Sequence, residues 1–511
     1  MKLWNNILLI SCLFAVFASC SRDDTTNGTG AISEITIDES SLKAVYDIDK
    51  NETLTITPNV TQSMSGKPLA YTWEIEEKAY SHEPQLVYVG NELGKFRCRL
   101  VVENEDGKSF YPFTLNVNSP YEEGVTVISR DANGKSMLSF MLKQRVEGVA
   151  DHFDEGDCFV LNNPDYTFAD NVTDVLQCNS SLLLLCKGKG TAENPPVIYY
   201  LNAKTFVVEN EIRVPEFASG FHPYRALMPT NTTAGTLYPI LCEDGKIYEF
   251  SSTEGAVAMM ARYKSTYSLC GAVYDSGSMS YNDVYLWDNE LQGLTMLYNN
   301  YGPYLCSDNK GEQEYLVDVN KLPLEKLKEK NYFGEGGELQ SMFIPRAVGG
   351  RSIYGERMMV VVKKGNKYQK YDLRNAFYTY DDNTGKVVFD SKYMIAGIGN
   401  NGGLTPNSPH VATTLYGYLL YGVGNKVMRW LYAQTQHLKD AKELATVGSP
   451  EAVITSMELS EDHTETYVAF YEPGEEGLNG HVWVIKTEDG TLLRKYDNVC
   501  YRPEKIIYKR K

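Results

Sequence analysis

Short segments in which apolar and polar residues alternate recur along almost the whole chain. The alternation is regular at residues 71–75, 96–102 and 113–117, while apolar runs such as 182–186 and 358–362 are short. Successive side chains of a β-strand point to opposite faces, so the alternation predicts strands with one buried face. We therefore expect an all-β protein. One segment, residues 322–330, has apolar residues three apart beside Pro323 and predicts a short amphipathic helix.

The strands of residues 32–119 are short and follow one another closely. Asp106-Gly107 predicts a hairpin between two of them, and Trp73 lies on the apolar side of its strand. Such strands around one tryptophan are typical of an immunoglobulin-like β-sandwich. Cys98 has no earlier cysteine in this segment, so the intersheet disulfide of antibody domains is not expected.

Residues 121–511 repeat a unit of roughly 40–60 residues. Each unit has an apolar strand, a turn that contains Gly or Asp, and a second strand rich in aromatic residues. Short antiparallel strands repeated in this way are typical of a β-propeller. A pair of plain β-sandwiches is the alternative. We predict about seven blades, which begin near Val125, Leu176, Tyr224, Ser268, Ala347, Pro409 and Ala452.

The first 20 residues indicate where the protein is located. Lys2 and the apolar stretch 7–17 have the length of a signal peptide rather than of a membrane span. The stretch ends in Phe17-Ala-Ser-Cys20, which resembles the lipobox of bacterial lipoproteins, with Phe17 in place of the usual Leu. This resemblance implies a signal peptide at 1–19, lipidation of Cys20, and a flexible tether at 20–31. An ordinary secreted protein is the alternative.

The tether carries a second signal. Ser21 is followed closely by Asp23 and Asp24, which resembles the export signal of surface lipoproteins in Bacteroidota, although Arg22 interrupts it. The resemblance implies an outer-membrane lipoprotein that faces the cell exterior and contacts the membrane through its N-terminal lipid anchor. A periplasmic location is the alternative.

Several segments together resemble one family. Residues 54–58, 71–75, 93–102 and 106–110, followed by 124–129 and 134–140, are similar to the PKD-like family of Bacteroidota lipoproteins. The WDFGDG signature of ordinary PKD repeats is missing. The resemblance implies a PKD-like sandwich before the propeller. It also implies accessory lipoproteins that accompany SusC/SusD-like outer-membrane transporters and other surface lipoproteins.

Composition excludes one class of partner. The formal charge of −17 and the lack of a Lys/Arg-rich segment argue against nucleic-acid binding. The cysteines beyond residue 20 show no CxxC spacing, and no histidines stand beside them at the intervals of a zinc site. We expect buried thiols, with one or two disulfides as the alternative, and neither a metal nor a cofactor.

No catalytic constellation is visible in the sequence. The seven histidines are scattered, and the chain contains neither an HExxH motif nor a G-x-S-x-G elbow. Acidic runs such as 151–157 could supply the paired carboxylates of a glycosidase, but acidic surface loops are much more common. We therefore predict no catalytic residues and a protein that is not an enzyme.

Three loops are rich in aromatic and amide side chains, which can stack on sugars or grip a peptide backbone. They span residues 217–224, 297–304 and 399–410. The alternative is that these residues only form turns and pack over strands, without binding a ligand. The candidate ligand-binding residues are Tyr298, Asn300, Tyr301, Tyr304, Phe221 and His222.

These observations lead to one main hypothesis and two competing ones. We expect a non-enzymatic surface lipoprotein that captures a glycan or an oligopeptide, or docks on a SusC/SusD-like TonB-dependent uptake complex. The first competitor is a propeller-based hydrolase or lyase that acts on polysaccharide or peptide at the cell surface. The second is an adhesin or a purely structural subunit of the transporter.

Overall fold

The computed structural model describes residues 32–510 apart from short gaps. The gaps are 144–147, 149, 179, 215–219, 228–229, 233–234, 252–255, 260–262, 275–281, 299–300, 308–315, 335, 349–356, 382–385, 399 and 435–436. The predicted signal peptide and tether therefore lie outside the described residues. The chain divides into two compact units, Met1–Pro120 and Tyr121–Lys511.

Over residues 32–120, unit one contains three small sheets. A five-stranded sheet has the order β2-β9-β8-β5-β6, in which β2 runs parallel to β9 and the other neighbours are antiparallel. Two further pairs are β1-β4 and β3-β7. The strands are β1 (Ile35–Ile37), β2 (Val45–Asp49), β3 (Thr53–Ile56), β4 (Val60–Gln62), β5 (Ala70–Ile75), β6 (Lys78–Ser81), β7 (Leu86–Val89), β8 (Gly94–Asn104) and β9 (Gly107–Asn118). A 3-10 turn spans Glu39–Ser41.

One apolar core lies between these sheets. Trp73 and Leu100 of the large sheet pack with Ile56 and Leu86 of the small ones. The Trp73 indole N–H donates to the Glu83 carbonyl at 3.0 Å, so its polar atom is paired although the ring is buried. The predicted hairpin is present, with Asn104 paired to Gly107. The immunoglobulin- or PKD-like identity of this sandwich stays a prediction.

Unit two consists, over the residues described, of seven antiparallel sheets that follow one another along the chain. We call them blades one to seven and give their strands from the innermost outward. Blade one has β39 (Arg502–Lys509), β10 (Gly124–Arg130), β11 (Ser136–Leu142) and β12 (His152–Phe153); blade two has β13 (Val172–Cys178), β14 (Ser181–Cys186), β15 (Val197–Asn202) and β16 (Val208–Arg213). Blade three has β17 (Pro223–Ala226), β19 (Gly235–Cys242), β20 (Ile247–Ser251) and β21 (Ala256–Met259), with β18 (Thr230–Thr232) paired to β19.

The remaining blades continue the same order. Blade four has β22 (Tyr267–Tyr274), β23 (Asn282–Asp288), β24 (Gly293–Tyr298), β25 (Tyr301–Cys306) and β26 (Leu316–Asp318); blade five has β27 (Glu338–Phe343), β28 (Arg357–Lys364), β29 (Lys367–Asp381) and β30 (Lys386–Ile398). Blade six has β31 (His410–Thr413), β32 (Tyr418–Val423), β33 (Lys426–Trp430) and β34 (Lys442–Thr446); blade seven has β35 (Val453–Leu459), β36 (Glu465–Tyr471), β37 (Gly480–Lys486) and β38 (Leu492–Cys500).

Packing between the blades closes a ring. Each blade shares a buried apolar cluster with the next, and a further cluster joins blade seven to blade one through Tyr467, Val484 and Val127. The last strand, β39, pairs with β10 from the beginning of the unit, so both ends of the propeller lie in one sheet. Closure of this kind shields sheet edges that could otherwise pair with other chains. The fold is an all-β propeller.

The predicted blade starts agree with this arrangement at five of the seven positions, and two were wrong. Blade five begins at Glu338 and not near Ala347. Val125 lies in β10, which is the second strand of blade one, because the C-terminal strand β39 occupies the innermost position.

Two helices and one 3-10 turn accompany the blades of unit two in the residues described. They are α1 (Cys158–Asn162), α2 (Leu324–Lys330) and the turn Leu438–Asp440. Helix α2 confirms the predicted segment, with Pro323 at its N-cap and Leu327 buried.

The direction of the strands defines two faces of the propeller. We call the end at which each innermost strand begins the entry face and the opposite end the exit face. Neighbouring strands are antiparallel, so the turn between the second and third strands lies at the entry face. The turn between the third and fourth strands lies at the exit face, and the connection from one blade to the next reaches the entry face.

Candidate ligand-binding site

The tyrosines predicted from sequence lie on one hairpin of blade four. Tyr298 ends β24, Tyr301 begins β25, and the two residues are paired across the hairpin. Tyr304 lies further along β25 opposite Met296 and is half-buried. The turn joins the third and fourth strands, so it lies at the exit face. Asn300 lies outside the described residues, as does Cys20.

Phe221 and His222 belong to the connection that enters blade three, at the entry face. Phe221 is 0% exposed and packs edge-to-face on Tyr248 at 5.0 Å, within the core between blades two and three. The prediction that Phe221 contacts a ligand is therefore wrong, because its ring already fills the apolar contact between two sheets. His222 is half-buried, and its carbonyl accepts from the Glu243 N–H at 3.0 Å.

The predicted residues do not form one site. Tyr298 and Tyr301 lie at the exit face, whereas His222 lies at the entry face. The local composition of the two loops is similar, but the antiparallel strand order places them at opposite ends of the propeller.

A cleft of ≈ 230 Å³ opens at the entry face between blades four and five. Its wall comes from the start of β22, the turn after β23, the start of β27 and the connection into blade six. The residues that line it are Ser268, Trp287, Asn289, Gln292, Gly337, Glu338, Leu339 and Pro406. Of these, Ser268 and Pro406 belong to segments singled out from sequence, a blade start and the loop 399–410. Trp287, Asn289 and Gln292 belong to the end of β23 and the turn after it, and Gly337, Glu338 and Leu339 to the start of β27; neither segment carried a distinctive sequence pattern.

Hydrogen bonds fix the amide side of the cleft. The Ser268 hydroxyl donates to Asn289 Oδ1 at 2.9 Å, and Asn289 Nδ2 donates to Thr266 Oγ1 at 3.2 Å. The Asn289 N–H also donates to the Thr266 carbonyl at 2.9 Å. Asn289 is therefore held in one orientation before any ligand arrives, which lowers the entropy lost on binding.

Two buried side chains hold the turn that carries Gln292. Asp288 Oδ1 accepts from the backbone N–H groups of Glu290 and Leu291 at 3.0 and 2.9 Å, and burial raises the pKa of Asp288. Asn331 Nδ2 donates to the carbonyls of Leu291 and Gln292 at 2.8 and 3.1 Å. Gln292 itself has a positive φ of 49°, so these contacts stabilise an uncommon backbone conformation.

The opposite wall of the cleft, at the start of β27, contains a tightly packed glycine and a carboxylate. A Cβ added to Gly337 would lie 2.8 Å from Val362 Cγ1, so only glycine fits there without a shift of the wall. Glu338 is the charged residue of the lining; its carboxylate is 64% exposed and lies 3.3 Å from Lys363 Nζ. The cleft therefore offers amides, a hydroxyl and a carboxylate, which together suit an uncharged, hydrogen-bonding ligand.

A second group of polar residues surrounds the propeller axis on the innermost strands. Asp174 of blade two is fully buried; its Oδ1 lies 2.5 Å from Lys505 Nζ of blade one and 3.3 Å from Arg225 Nη1 of blade three. Its Oδ2 accepts from the Ala226 N–H at 2.7 Å. One carboxylate thus joins three blades with two cations and a backbone donor.

A second ion pair lies near the exit face. Arg346, which follows β27 of blade five, donates to Glu458 of blade seven at 2.5 Å, so the pair spans blade six. His463 lies beside it, is 1% exposed and contacts Thr413 Oγ1 through Nδ1 at 3.0 Å. Burial, with the charges of Arg346 and Arg510, lowers the pKa of His463 to about 4.

His410 lies at the start of β31, at the entry-face end of that strand. Its Nδ1 lies 2.9 Å from the Ser408 carbonyl. Burial lowers the pKa of His410, and the charges of Arg225 and Arg346 lower it further. We call Asp174, Arg225, Arg346, Glu458 and Lys505 the axial cluster.

The described part of the chain contains neither a candidate metal cluster nor a candidate membrane-spanning helix. No group of three or more His, Cys, Asp or Glu side chains there is placed to hold a metal ion. Within the same residues, no helix is both long enough and apolar enough to cross a membrane. Six of the cysteines, Cys98, Cys158, Cys178, Cys186, Cys242 and Cys500, carry free thiols.

No family model matches the chain, and no curated protein matches it. Among solved structures, it is similar to a quinoprotein alcohol dehydrogenase-like protein from Bacteroides thetaiotaomicron, at 15% identity and a TM-score of 0.45, over 94% of this chain and 100% of that one. It is also similar to AztD from Citrobacter koseri, at 10% identity and a TM-score of 0.34, over 86% and 98% of the two chains.

A third similar structure is Sqt1 from Saccharomyces cerevisiae, at 6% identity and a TM-score of 0.36, over 75% of this chain and 87% of that one. Identity and TM-score are low in all three. The assignment of the fold therefore depends on the strand order and the interblade packing of this chain itself.

Proposed function

We propose that this protein is a non-enzymatic, lipid-anchored member of the PKD-like lipoprotein family that faces the cell exterior and captures a nutrient at the entry face of its propeller. The ligand is a glycan or an oligopeptide. The observation that carries the proposal is the cleft of ≈ 230 Å³ between blades four and five, with its oriented Asn289 and exposed Glu338. A fixed amide beside a carboxylate can recognise hydroxyl or peptide groups without reacting with them.

The hydrogen bonds of the cleft and of nearby histidines support binding over catalysis. The Ser268 hydroxyl donates to an amide oxygen rather than to a base. His410 contacts a backbone carbonyl. His463 contacts the Thr413 hydroxyl, but both side chains are 1% exposed, so this pair does not reach a substrate at the surface. Nucleophilic catalysis needs a nucleophile and its base within hydrogen-bond reach.

A pair of matched carboxylate variants tests capture. Glu338→Gln removes the charge of the cleft, and Glu329→Gln on α2 removes a carboxylate of nearly equal exposure, 61%, outside it. The full chain is incubated with glycan pools and peptide pools, and bound and released molecules are identified by mass spectrometry. We expect Glu338→Gln to weaken binding about tenfold, the value of one hydrogen bond to a charged group, and Glu329→Gln to leave it unchanged. A released product without retained ligand would favour the hydrolase or lyase.

The anchor and its orientation are tested separately. Labelling cells with a fatty-acid analogue should modify the parent and not Cys20→Ala, because the thiol is the proposed acylation site. Protease treatment of intact cells should degrade a protein that faces the exterior, and a protected protein would place it in the periplasm instead.

Docking on a SusC/SusD-like uptake complex is supported by the long hairpin of blade five. Over the residues described, strand β29 pairs with β28 up to Arg374, and Tyr378 to Asp381 pair with β30. A two-stranded ribbon of four residue pairs therefore continues past the exit end of β28 as described. Isolated two-stranded ribbons are marginally stable in water, so we expect this one to gain stability from a partner. Affinity purification that recovers no transporter would contradict docking.

A further inference from the structure

A histidine of blade seven lies between two carboxylates. His481 is the second residue of β37, at the entry face, and it is 6% exposed. Its Nδ1 lies 3.1 Å from Asp497 Oδ1 on β38, and its Nε2 lies 3.8 Å from Glu475 Oε2 in the loop 472–479. The ring stacks on Phe470 with a centroid distance of 5.0 Å. The two ring nitrogens therefore approach different carboxylates.

A neutral imidazole cannot donate to both carboxylates, because it carries a single N–H. With that proton on Nδ1, the ring donates to Asp497 and presents a lone pair to Glu475. With the proton on Nε2, Nδ1 accepts from the Asn498 N–H at 3.3 Å, but its lone pair also faces Asp497. Nε2 is buried and has no hydrogen-bond partner. A second proton gives the ring one N–H toward each carboxylate.

The elements around His481 carry more negative than positive groups. Glu472 is already engaged, since its carboxylate accepts from the Ser449 N–H at 2.7 Å and from the Ser449 hydroxyl. Lys495 Nζ lies 3.8 Å from the centre of the Trp483 ring. An imidazolium at this position therefore meets mainly opposite charge. The ionisable side chains of these elements on the His481 side of blade seven are Glu451, Glu472, Glu475, Glu476, Lys495 and Asp497.

The loop 472–479 is held at its ends. The Glu472 N–H donates to the Asn479 carbonyl at 3.0 Å, and Asn498 Nδ2 donates to the Leu478 carbonyl at 2.6 Å. The tip, residues 473–477, is exposed, and the side chain of Glu475 within it is 51% exposed. A movement of about 1 Å would bring Glu475 to the distance of a charge-assisted hydrogen bond, about 2.7–2.9 Å.

We propose that protonation of His481 fastens the tip of the loop 472–479 to blade seven, through hydrogen bonds from Nε2 to Glu475 and from Nδ1 to Asp497. Histidine side chains ordinarily gain their second proton at about pH 6.5, whereas carboxylates stay largely ionised above about pH 5. The tip is therefore held in mildly acidic solution and released in mildly alkaline solution. This latch belongs to blade seven and does not depend on ligand capture in the cleft between blades four and five.

Hydrogen–deuterium exchange of the full chain at about pH 5.5 and about pH 8 tests the latch. Labelling times are scaled to the chemical exchange rate of amides at each pH, and peptides that cover residues 473–480 are followed by mass spectrometry. EDTA is present throughout, so that a bound metal ion does not contribute. We expect the protection of this segment to be about fivefold greater at the acidic pH, which is the effect of one partly exposed ion pair.

Two carboxylate variants localise the effect. Glu475→Gln removes the charge that receives the Nε2–H, and Glu476→Gln makes the same change at the next position of the exposed tip. We expect the pH response to disappear in Glu475→Gln and to remain in Glu476→Gln. His481→Gln should also abolish the response, and circular dichroism checks its fold because the side chain is buried. Glu475 is exposed, so its variant tests the latch even if His481→Gln does not fold.

Three results would overturn the inference. The first is equal protection of residues 473–480 at the two pH values in the parent. The second is a pH response that persists in Glu475→Gln, and the third is a response that disappears equally in Glu476→Gln, because the charge of the tip rather than the contact with His481 would then explain it. None of these results bears on the proposed function, which the binding of glycan and peptide pools tests separately.

Discussion

Replacing Asp174 by Asn tests whether the axial cluster stabilises the closed ring. The substitution keeps the size of the side chain and removes its charge. Asp174 is fully buried, with Lys505 at 2.5 Å and Arg225 at 3.3 Å, so both cations lose their carboxylate partner at once.

The expected loss follows from the burial of the partners. Removing one member of a buried ion pair costs about 3–5 kcal/mol, because an uncompensated charge is left behind. The side chains of Lys505 and Arg225 are 22% and 35% exposed, so water replaces part of the lost interaction. We therefore expect the free energy of unfolding of the propeller to fall by about 2–3 kcal/mol.

The measurement is urea denaturation followed by tryptophan fluorescence, since Trp287 and Trp430 are buried in the propeller. Asp440→Asn, at an exposed position, serves as the matched control and should change the free energy of unfolding by less than about 0.5 kcal/mol. The double variant Asp174→Asn with Lys505→Met removes the unpaired cation as well, and should recover about 1–3 kcal/mol of the loss.

Two results would refute this reasoning. An Asp174→Asn protein that unfolds within about 0.5 kcal/mol of the parent would show that the cluster contributes little to stability. The second is additivity. If adding Lys505→Met to Asp174→Asn lowers the free energy of unfolding as much as Lys505→Met does in the parent, the two residues do not interact.

The other predictions concern the core, the pH response and the ring closure. Phe221→Ala should lower the free energy of unfolding by about 3–5 kcal/mol and leave affinity for ligand unchanged in the folded fraction, because the ring is a core residue; an affinity loss without destabilisation would contradict this. The folded pKa of His463, about 4, lies below its ordinary value of 6.5, so its contribution to stability is full above pH 6.5 and lost as pH falls toward 4. Between pH 6.5 and pH 4, the free energy of unfolding measured from denaturation curves should fall by about 3 kcal/mol more in the parent than in His463→Asn. An equal fall in both proteins would contradict this prediction. Deletion of 502–511 should give an aggregating protein by size-exclusion chromatography, because β10 loses its inner partner, and a monomer with native circular dichroism would contradict this.

Much of the fold could be predicted because local patterns report local burial. The alternation at residues 96–102 predicts one buried face, and Cys98 and Leu100 are indeed buried while Arg97 and Arg99 are exposed. Pro323 marks the start of α2 for an equally local reason, since its fixed φ suits the first turn of a helix. The number of blades followed from repetition of the same local pattern.

The site could not be predicted in the same way. Tyr298 and His222 lie in loops of similar composition, yet the strand order separates them to opposite faces. The sequence around Phe221 predicts an aromatic residue that binds ligand. The neighbouring residues do not show that blade two packs against its ring. Asn289 and Glu338 form one cleft although 48 positions in the chain separate them.

The sequence by itself determined that the chain forms strands, where most of the blades begin, and which side of each strand is apolar. Only the tertiary structure decided that β39 closes the first blade, and that Asp174 meets Lys505 from the far end of the chain. Strand formation depends on neighbouring residues, so short segments of the sequence are enough to predict it. Ring closure and the axial cluster depend on contacts between residues hundreds of positions apart, and these exist only once the blades have packed around a common axis.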